Sequence, residues 1–310
     1  MFKLAKFDIK DIKGVIPATL TCFDENERVD EKRTRDFIEF LLSKDVDGLY
    51  ITGSTGVFYT MTIEERKRST EIVINQVAGR VPVIVHIGDI GTAKTIELAR
   101  HAESVGADAI SSVPPFYGSY SPDAIYSYYK DIAESVSIPM IAYNVAAAGL
   151  MNADLIMRLA TIPNVKGLKF TDATHDILGL IKRAVGEDFM VYSGRDQMAF
   201  SGLSFGADGI IGSFYNCIPE LYIKIYDAVK QNDINTAMEY QAIADEFINT
   251  ALKYNGLAGI YDLMRMRGVD AGDVIRPLIK NTPDKVERLK ADLRKLRDDL
   301  ATDELDVFGI

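Results

Sequence analysis

The chain alternates between short apolar runs and longer amphipathic stretches over most of its length. The apolar runs are rich in β-branched residues and lack a regular polar alternation, which is typical of parallel strands covered on both faces. The pattern therefore predicts eight buried strands separated by helices. The predicted strands span residues 15–22, 48–52, 81–87, 109–113, 140–145, 165–171, 190–193 and 209–213.

Helix boundary signals lie between these runs. Thr62 and Glu65 have the spacing of a capping box that opens a helix, and Gly79 is placed to close that helix. Ser121 and Pro122 have the order of an N-cap followed by proline at the first helical position. These signals predict one helix after the second strand and another after the fourth.

One joint between a helix and the next strand occurs three times. The three copies read Asp45-Val46-Asp47-Gly48-Leu49, Gly106-Ala107-Asp108-Ala109-Ile110 and Gly206-Ala207-Asp208-Gly209-Ile210. A repeated βα unit, present about eight times in roughly 250 residues, predicts an α/β fold of the (β/α)₈ TIM-barrel type. The alternative is an open doubly wound sheet, which we disfavour because no Gly-x-Gly-x-x-Gly follows the first strand.

The pattern after Asn216 is helical throughout, and Leu289, Leu293, Leu296 and Leu300 mark one apolar face of a charged helix. No change of composition indicates a linker. We therefore predict a barrel over residues 1–225 and a C-terminal helical extension over residues 226–310, packed together as a single folded unit.

Composition excludes several classes of function. The formal charge is −10, and the basic residues are interleaved with acids, so we expect no nucleic-acid partner. No apolar run is long enough to span a bilayer, so we expect no membrane partner. The two cysteines, Cys22 and Cys217, give no disulfide framework, and no signal peptide is evident, which together predict a cytoplasmic protein.

The catalytic groups of a barrel lie at the carboxyl ends of its strands, which directs attention to Lys169 and Tyr143. Burial near the end of an apolar strand favours the uncharged amine of a lysine, which attacks a ketone to form a Schiff base. The alternative is a surface lysine at a strand end, as Lys166 exemplifies. Tyr143 has the position of a proton relay, or of a half-buried packing residue.

Three loops offer binding groups. Gly53-Ser54-Thr55-Gly56 follows the second strand and is either an anion-binding nest with two hydroxyls or an ordinary tight turn. Polar groups after the seventh and eighth strands suit a polyhydroxylated substrate or ordinary loop chemistry. These groups are Gly194, Arg195, Asp196, Gln197, Gly212 and Ser213. The histidines at 86, 101 and 175 lack metal-ligand spacing, so no metal site is predicted.

Together these motifs resemble the N-acetylneuraminate lyase / dihydrodipicolinate synthase family, from about Gly14 to about Gly272. The resemblance rests on five motifs in the family's order. They are Gly53-Ser54-Thr55-Gly56, Pro114-Pro115-Phe116-Tyr117, Tyr143-Asn144, Gly167-Leu168-Lys169 and Gly206-Ala207-Asp208-Gly209-Ile210-Ile211-Gly212-Ser213.

The resemblance implies a pyruvate-dependent class I aldolase or lyase that needs no cofactor, because pyruvate forms a covalent imine on Lys169. It implies that Ser54 and Thr55 bind the pyruvate carboxylate and that Tyr143 relays a proton. Tyr117 matches a catalytic tyrosine that enters the neighbouring subunit's site in synthases of this family. The implied assembly is a homotetramer, a dimer of dimers.

The same resemblance bears on the branch of the family. The synthases have an arginine where this chain has Ala148, and the usual glutamate after the glycine turn is replaced by Val57. A missing arginine argues against the lysine-pathway synthase, because it removes a bidentate partner for a carboxylate. The sialic acid lyases have Asp-Glu after the seventh strand, where this chain has Asp196-Gln197. Further matches to substrate-binding positions are Thr171 and Ser213, and Gly194 in the loop after the seventh strand is a further candidate for substrate binding.

The leading hypothesis is therefore a lyase that cleaves a sialic acid or a related 2-oxo-3-deoxy acid to pyruvate and an aldehyde. A divergent 4-hydroxy-tetrahydrodipicolinate synthase, or another 2-oxo-3-deoxy acid aldolase or dehydratase, is the alternative with the same chemistry. A metal-dependent aldolase and a barrel that only binds an oxo acid are the alternatives from other classes.

Overall fold

The computed structural model describes residues 6–309, so the first five residues and the last residue of the predicted domain ranges lie outside the described residues. Eight parallel strands run in the order β1-β8-β7-β6-β5-β4-β3-β2. Their bounds are β1 Gly14–Pro17, β2 Leu49–Ile51, β3 Val83–His86, β4 Ala109–Ser112, β5 Met140–Val145, β6 Val165–Thr171, β7 Met190–Ser193 and β8 Gly209–Gly212. A parallel bridge from Ala18 to Tyr50 brings β1 beside β2 and closes the ring. The predicted (β/α)₈ barrel is confirmed.

Helices alternate with the strands and form an outer layer. Their bounds are α1 Glu31–Leu42, α2 Ile63–Val77, α3 Thr92–Val105, α4 Pro122–Ala133, α5 Ala153–Leu159, α6 His175–Val185, α7 Ala199–Ser204, α8 Pro219–Lys230, α9 Ile234–Ala251, α10 Leu257–Met266 and α11 Pro283–Leu300. The last three follow the eighth βα unit. Residues 225 and 226 lie inside α8, and the predicted division between them stays a prediction.

The aspartate of the recurring joint has the same partners in all three copies. Its carboxylate accepts a hydrogen bond from a backbone N–H of the preceding strand, and its own N–H donates to the carbonyl of that same residue. The pairs are Asp47 with Val15, Asp108 with Val83, and Asp208 with Val191. These paired bonds link neighbouring strands at the amino end of the barrel, because the orphan groups of the strand starts need partners.

Large apolar side chains fill the barrel interior and separate it from the outer core between strands and helices. The interior set includes Ile16, Tyr50, Ile84, Ile141, Tyr143, Met190, Tyr192 and Ile211, all buried. The interior is therefore a packed core, and only its carboxyl end is left for ligands.

Strand β1 is shorter than predicted, because it ends at Pro17 and not at residue 22. After the bridge from Ala18 to Tyr50 the segment continues as a loop, and the side chain of Asn216 binds its backbone. Asn216 donates from Nδ2 to the Ala18 carbonyl at 2.7 Å and accepts from Leu20 N–H at 3.4 Å. The apolar run continues beyond the strand because this segment is still buried, and apolar sequence alone does not separate strand from buried loop.

The predicted helix caps form with one difference. Ser121 accepts from Ala124 N–H and Thr62 accepts from Glu65 N–H, as N-caps do. The Glu65 carboxylate does not return to Thr62, because it accepts the Val29 N–H at 2.7 Å. The capping box is therefore half formed, and its acid joins α2 to the loop before α1.

The predicted apolar face of α11 packs at its first two leucines, since Leu289 and Leu293 are buried. Leu296 is partly buried and Leu300 is exposed, so the face ends before the helix does. Within residues 6–309, none of the helices combines the length and apolarity that a membrane crossing requires.

Candidate active site

Lys169 points into the barrel near the carboxyl end of β6. Its side chain is only 4% exposed, and its Nζ lies 4.2 Å from the ring centroid of Tyr50 and 4.4 Å from that of Tyr143. No ion pair to Lys169 occurs among the described residues. Lys166, three residues earlier, is exposed. Because successive side chains alternate between faces of a strand, this odd spacing places the two lysines on opposite faces.

Tyr143 lies directly beside Lys169, because the two residues are partners in the β5–β6 ladder. Its ring meets Tyr50 edge-on with centroids 6.1 Å apart, and His86 edge-on at the same separation. Edge-to-face packing of this kind restricts the rotation of the ring. Burial raises the pKa of Tyr50 well above its usual value, so that phenol stays neutral and donates to Ser111 Oγ at 3.1 Å.

His86 is a site neighbour that the sequence reasoning treated as an ordinary histidine. Its Nδ1 lies 3.1 Å from the Thr52 carbonyl, and its Nε2 accepts the Val113 N–H at 3.4 Å. This pattern requires a neutral ring that carries its proton on Nδ1. Burial, followed by the positive charges of Arg66 and Lys169, holds the pKa of His86 well below its usual value. Its place at the end of β3 was the available signal.

The glycine turn after β2 places its two hydroxyl residues differently. Thr55 is buried, and its Oγ1 lies 2.7 Å from Ser213 Oγ, whereas the Ser54 side chain is exposed. A Cβ on Gly56 would lie 2.8 Å from Thr21 Oγ1, so the turn needs a glycine there. The structure therefore brings together two predicted binding residues that are 158 residues apart in the sequence.

The surroundings of Val57 account for an apolar residue at the position where the family usually has a glutamate. It has a left-handed backbone (φ 52°), which a β-branched residue rarely adopts. Its side chain is fully buried in an apolar cluster with Phe23, Val29, Ile72 and Ile275, a cluster separate from the barrel interior. Position 57 therefore packs outside the site.

Asp196 projects from the loop after β7 towards the loop after β8. Its Oδ2 accepts from the backbone N–H groups of Ser213 at 3.2 Å and Phe214 at 3.4 Å, and its Oδ1 is buried without a hydrogen-bond partner. The residue as a whole is half-buried, but the carboxyl group lies in the interior. Burial raises the pKa of Asp196 to about 7, against the opposing effects of these hydrogen bonds and of the positive charge of Lys169.

Gly194 and Thr171 lie against Lys169. A Cβ on Gly194 would lie 1.9 Å from Thr171 Oγ1 and 3.3 Å from Lys169 Cε, so only glycine fits at position 194. Thr171 Oγ1 is buried and has no hydrogen-bond partner, which leaves it available to a ligand. Gln197 differs, because its Nε2 donates to Asn249 Oδ1 on α9 at 2.9 Å.

Tyr117 and Ala148 frame the outer part of the site region. Tyr117 is fully exposed and has a positive φ of 83°, so its ring is not packed on this chain. Ala148 is half-buried and packs with Phe116 and Val145 against the barrel-interior cluster. The position of the synthase arginine is therefore part of an apolar wall.

No group of three or more His, Cys, Asp or Glu side chains within residues 6–309 has an arrangement that could hold a metal ion. The candidate site instead combines one buried amine, phenols, hydroxyls, a neutral imidazole and a buried carboxyl.

Known proteins share both the sequence and the fold of this chain. Residues 11–296 match the model of the dihydrodipicolinate synthetase family. N-acetylneuraminate lyase 2 of Escherichia coli O6:H1 is 37% identical over 262 residues, which cover 84% of this chain and 86% of that protein.

Two solved structures illustrate the similarity of fold. The catalytic lysine mutant of Ruminococcus gnavus sialic acid aldolase superposes with a TM-score of 0.90 at 28% identity, covering 95% of this chain and 98% of that one. A prophage protein of the dihydrodipicolinic acid synthase family from Escherichia coli K12, in complex with pyruvate, gives a TM-score of 0.87 at 28% identity, covering 92% and 98%. The resemblance found in the sequence is confirmed, and the chain belongs to the dihydrodipicolinate synthetase family.

Proposed function

We propose that this chain is a pyruvate-dependent lyase that holds its 2-oxo acid substrate as a Schiff base on Lys169. That it is a carbon–carbon lyase of the class I aldolase type follows from its family. The observation that carries the assignment of Lys169 is its burial between two tyrosine rings, without an ion-pair partner among the described residues. An amine that is held between two rings and bound to no carboxylate is free to add to the ketone of an oxo acid.

The reaction follows from these groups. The Lys169 amine adds to the carbonyl carbon of the oxo acid, water leaves, and a protonated imine forms. Tyr143 relays the proton of the hydroxyl on the second carbon from the imine carbon to solvent or to a carboxylate, and the bond between that carbon and the carbon next to the imine breaks. Its electron pair moves into the imine to give an enamine, and an aldehyde departs. Protonation of the enamine and hydrolysis of the imine release pyruvate and regenerate the lysine.

The carboxylate of the substrate is proposed to lie on the turn after β2. Thr55 Oγ1 and the backbone N–H groups of that turn supply neutral donors, and Ser54 adds an exposed hydroxyl. Ser213 fixes the Thr55 hydroxyl at 2.7 Å. This arrangement grips an anion without an arginine, so the substrate binds by its carboxylate and reacts by its ketone.

We propose a sialic acid or a related 2-oxo-3-deoxy acid as the substrate. Support comes from the names of the relatives, which are N-acetylneuraminate lyases and sialic acid aldolases. Thr171, Gly194, Asp196 and Gln197 are the proposed contacts to the sugar hydroxyls. The alternative, a divergent 4-hydroxy-tetrahydrodipicolinate synthase or another 2-oxo-3-deoxy acid aldolase or dehydratase, is favoured at one point, because the wall of Phe116, Val145 and Ala148 suits a less polar aldehyde.

Borohydride trapping tests the central claim. Incubation with pyruvate followed by reduction should add one reduced pyruvate to Lys169, which peptide mass spectrometry locates. Lys166→Ala is the matched control, because it removes an exposed lysine of the same strand and should leave the adduct unchanged. Lys169→Ala should abolish the adduct and the cleavage of N-acetylneuraminate together.

An unmodified Lys169 in folded protein at saturating pyruvate would overturn the proposal. In that case, cleavage that a chelator removes and Mg²⁺ restores would point to the metal-dependent alternative. Binding of pyruvate without cleavage would point to the barrel that only binds an oxo acid.

We also propose a homotetramer built from two dimers, in which Tyr117 enters the neighbouring subunit's site. The exposure of its ring and its left-handed backbone support a role outside its own chain. A cytoplasmic location is proposed on the free, buried cysteines Cys22 and Cys217, which suit a reducing compartment.

A further inference from the structure

Two buried polar atoms without hydrogen-bond partners converge above Gly212. They are Asp196 Oδ1 and the hydroxyl of Tyr215. A Cβ on Gly212 would lie 1.7 Å from Asp196 Oδ1 and 2.5 Å from Tyr215 Cζ, so both side chains occupy the space that only a glycine leaves open. An unpartnered buried polar group is costly, and a hydrogen bond between these two neighbouring groups would remove the cost of both.

Tyr215 has no alternative partner in water. Its side chain is fully buried, and its ring lies against Tyr222 with centroids 3.8 Å apart. The backbone of Asp196 is also held, since its carbonyl accepts from the Tyr222 hydroxyl at 3.3 Å and from Gln241 Nε2 at 3.2 Å. Helices α8 and α9 therefore hold both members of the pair in place.

The other oxygen of the same carboxyl leads to the proposed carboxylate site. Asp196 Oδ2 accepts the Ser213 N–H at 3.2 Å, and Ser213 Oγ lies 2.7 Å from Thr55 Oγ1. The carboxyl thus fixes the backbone of the residue that orients the Thr55 hydroxyl. Any group that fixes Asp196 acts, through this chain of contacts, on the binding of pyruvate.

We propose that Tyr215 is a positioning residue, whose hydroxyl donates to Asp196 Oδ1 and keeps the carboxylate in the orientation that aligns Ser213 and Thr55. This inference deepens the proposed function and rests on it for its effect on pyruvate. Asp196 then has a role in positioning the carboxylate-binding hydroxyls, in addition to its proposed contact with the sugar.

The expected pH effect has a definite sign. Burial raises the pKa of Asp196 to about 7, and a hydroxyl that donates to Oδ1 stabilises the charged form. Loss of that hydroxyl should therefore raise the pKa of Asp196 relative to the parent, so the acid limb of activity should move to higher pH. The titratable and charged groups that face this carboxyl are Lys169 on β6, Arg195 on its own loop, Tyr215 and Cys217 after β8, and Tyr222 on α8, which in turn faces Asp245 on α9.

The test compares Tyr215→Phe with Tyr254→Phe. The control removes the hydroxyl of another buried tyrosine that binds an aspartate, since Tyr254 donates to Asp292 Oδ2 at 2.6 Å, far along the chain on the helical extension. At neutral pH we expect Tyr215→Phe to slow borohydride-trapped adduct formation about tenfold. Its acid limb should move up by about one pH unit. Tyr254→Phe should match the parent.

A readout independent of activity separates this inference from the proposed function. The ¹³C carboxyl resonance of Asp196, assigned by its loss in Asp196→Asn, should titrate at higher pH in Tyr215→Phe than in the parent. Incorporation of 3-fluorotyrosine at position 215, a stronger donor of the same shape, should move it to lower pH. Unchanged titration in either variant overturns the inference, whereas an absent Lys169 adduct in the parent overturns the proposed function.

Discussion

Two lysines three residues apart on β6 differ entirely in environment. Lys166 is exposed, whereas Lys169 lies inside the barrel between two phenol rings. Packing around Lys169 also restricts which residues can be its neighbours. At position 194 there is no room for a side chain between Thr171 and the lysine stem, so the residue there is glycine. At the residue scale, the site therefore depends on where atoms are absent as well as on where they are present.

Gly194→Ala tests this requirement for space. The new methyl group would lie 1.9 Å from Thr171 Oγ1 and 3.3 Å from Lys169 Cε, so both side chains must shift. We expect kcat/KM to fall about tenfold, because the Thr171 hydroxyl must move away and the Lys169 stem must also shift from its position.

Gly91→Ala is the matched control for that substitution. Gly91 has an ordinary backbone (φ −127°) and open space around its Cα, so its replacement should leave kcat/KM unchanged. Parent-like steady-state kinetics of Gly194→Ala would contradict the packing argument.

At the scale of elements, the barrel is joined at its amino end by the three repeated aspartates. Asp208 differs from its two counterparts because it also forms an ion pair with Lys182 at 2.9 Å. Both of these side chains are nearly buried. Lys182 lies on α6, so this joint links a helix to β7 as well as strand to strand. The proposed site lies at the carboxyl ends of the same strands, so these stabilising joints and the proposed site are at opposite ends of the barrel.

Asp208→Ala should destabilise the fold by about 3 kcal/mol, since it breaks the nearly buried ion pair with Lys182 and leaves the Val191 N–H without a partner, whereas Lys182 keeps only the Phe189 carbonyl at 3.3 Å and the exposed Glu187 carboxylate at 3.9 Å. Chemical denaturation should show a lower midpoint. Asp123→Ala removes an exposed partner of Arg158 and should leave the midpoint unchanged. Equal midpoints for the two variants would show that the Asp208 joint adds no stability.

At the scale of the whole molecule, closure of the barrel joins the first βα units to the loop after the last strand. Thr19 N–H donates to the Tyr50 carbonyl at 2.9 Å, and Asn216 binds the Ala18 carbonyl. The same closure brings Ser213 to Thr55, and α9 brings Asn249 to Gln197. The side chain of Tyr117, by contrast, is fully exposed and does not pack on its own chain.

Sedimentation velocity tests the proposed assembly. We expect one species with the mass of four 34.3 kDa chains at micromolar concentration, because Tyr117 is proposed to complete a neighbouring site. Tyr117→Phe should retain this mass while reducing kcat. A monomer with full activity would contradict both the tetramer and the shared site.

Much of the fold was predictable, because it depends on local patterns. Strands β5, β6 and β7 have the bounds that the apolar runs predicted, and Ser121 caps its helix as expected. The end of β1 was wrong by five residues, since a buried loop held by Asn216 has the same apolar composition as a strand. The pattern of apolar residues predicts which residues are buried. It predicts strand pairing only where the buried residues are also part of a sheet.

The sequence predicted which chemical groups lie in the candidate site better than it predicted which neighbours those groups contact. The positions of Lys169 and Tyr143 follow from strand ends, but the neutral His86 beside them was missed because scattered histidines have no spacing signal. Gln197 was expected to face a substrate, and its amide is engaged by Asn249, 52 residues away. Such pairs between distant elements leave no trace in a single sequence.

The sequence by itself determined the repeated βα unit, the barrel and the strand-end lysine, because strand periodicity and turn chemistry act over a few residues. Only the tertiary structure decided the environment that makes these residues a site. The closed ring brings Thr55 to Ser213, buries the Asp196 carboxyl and places it and the Tyr215 ring over the same glycine, Gly212. The physical reason is that desolvation and convergence of polar groups are properties of packed neighbours, which meet only when the barrel closes.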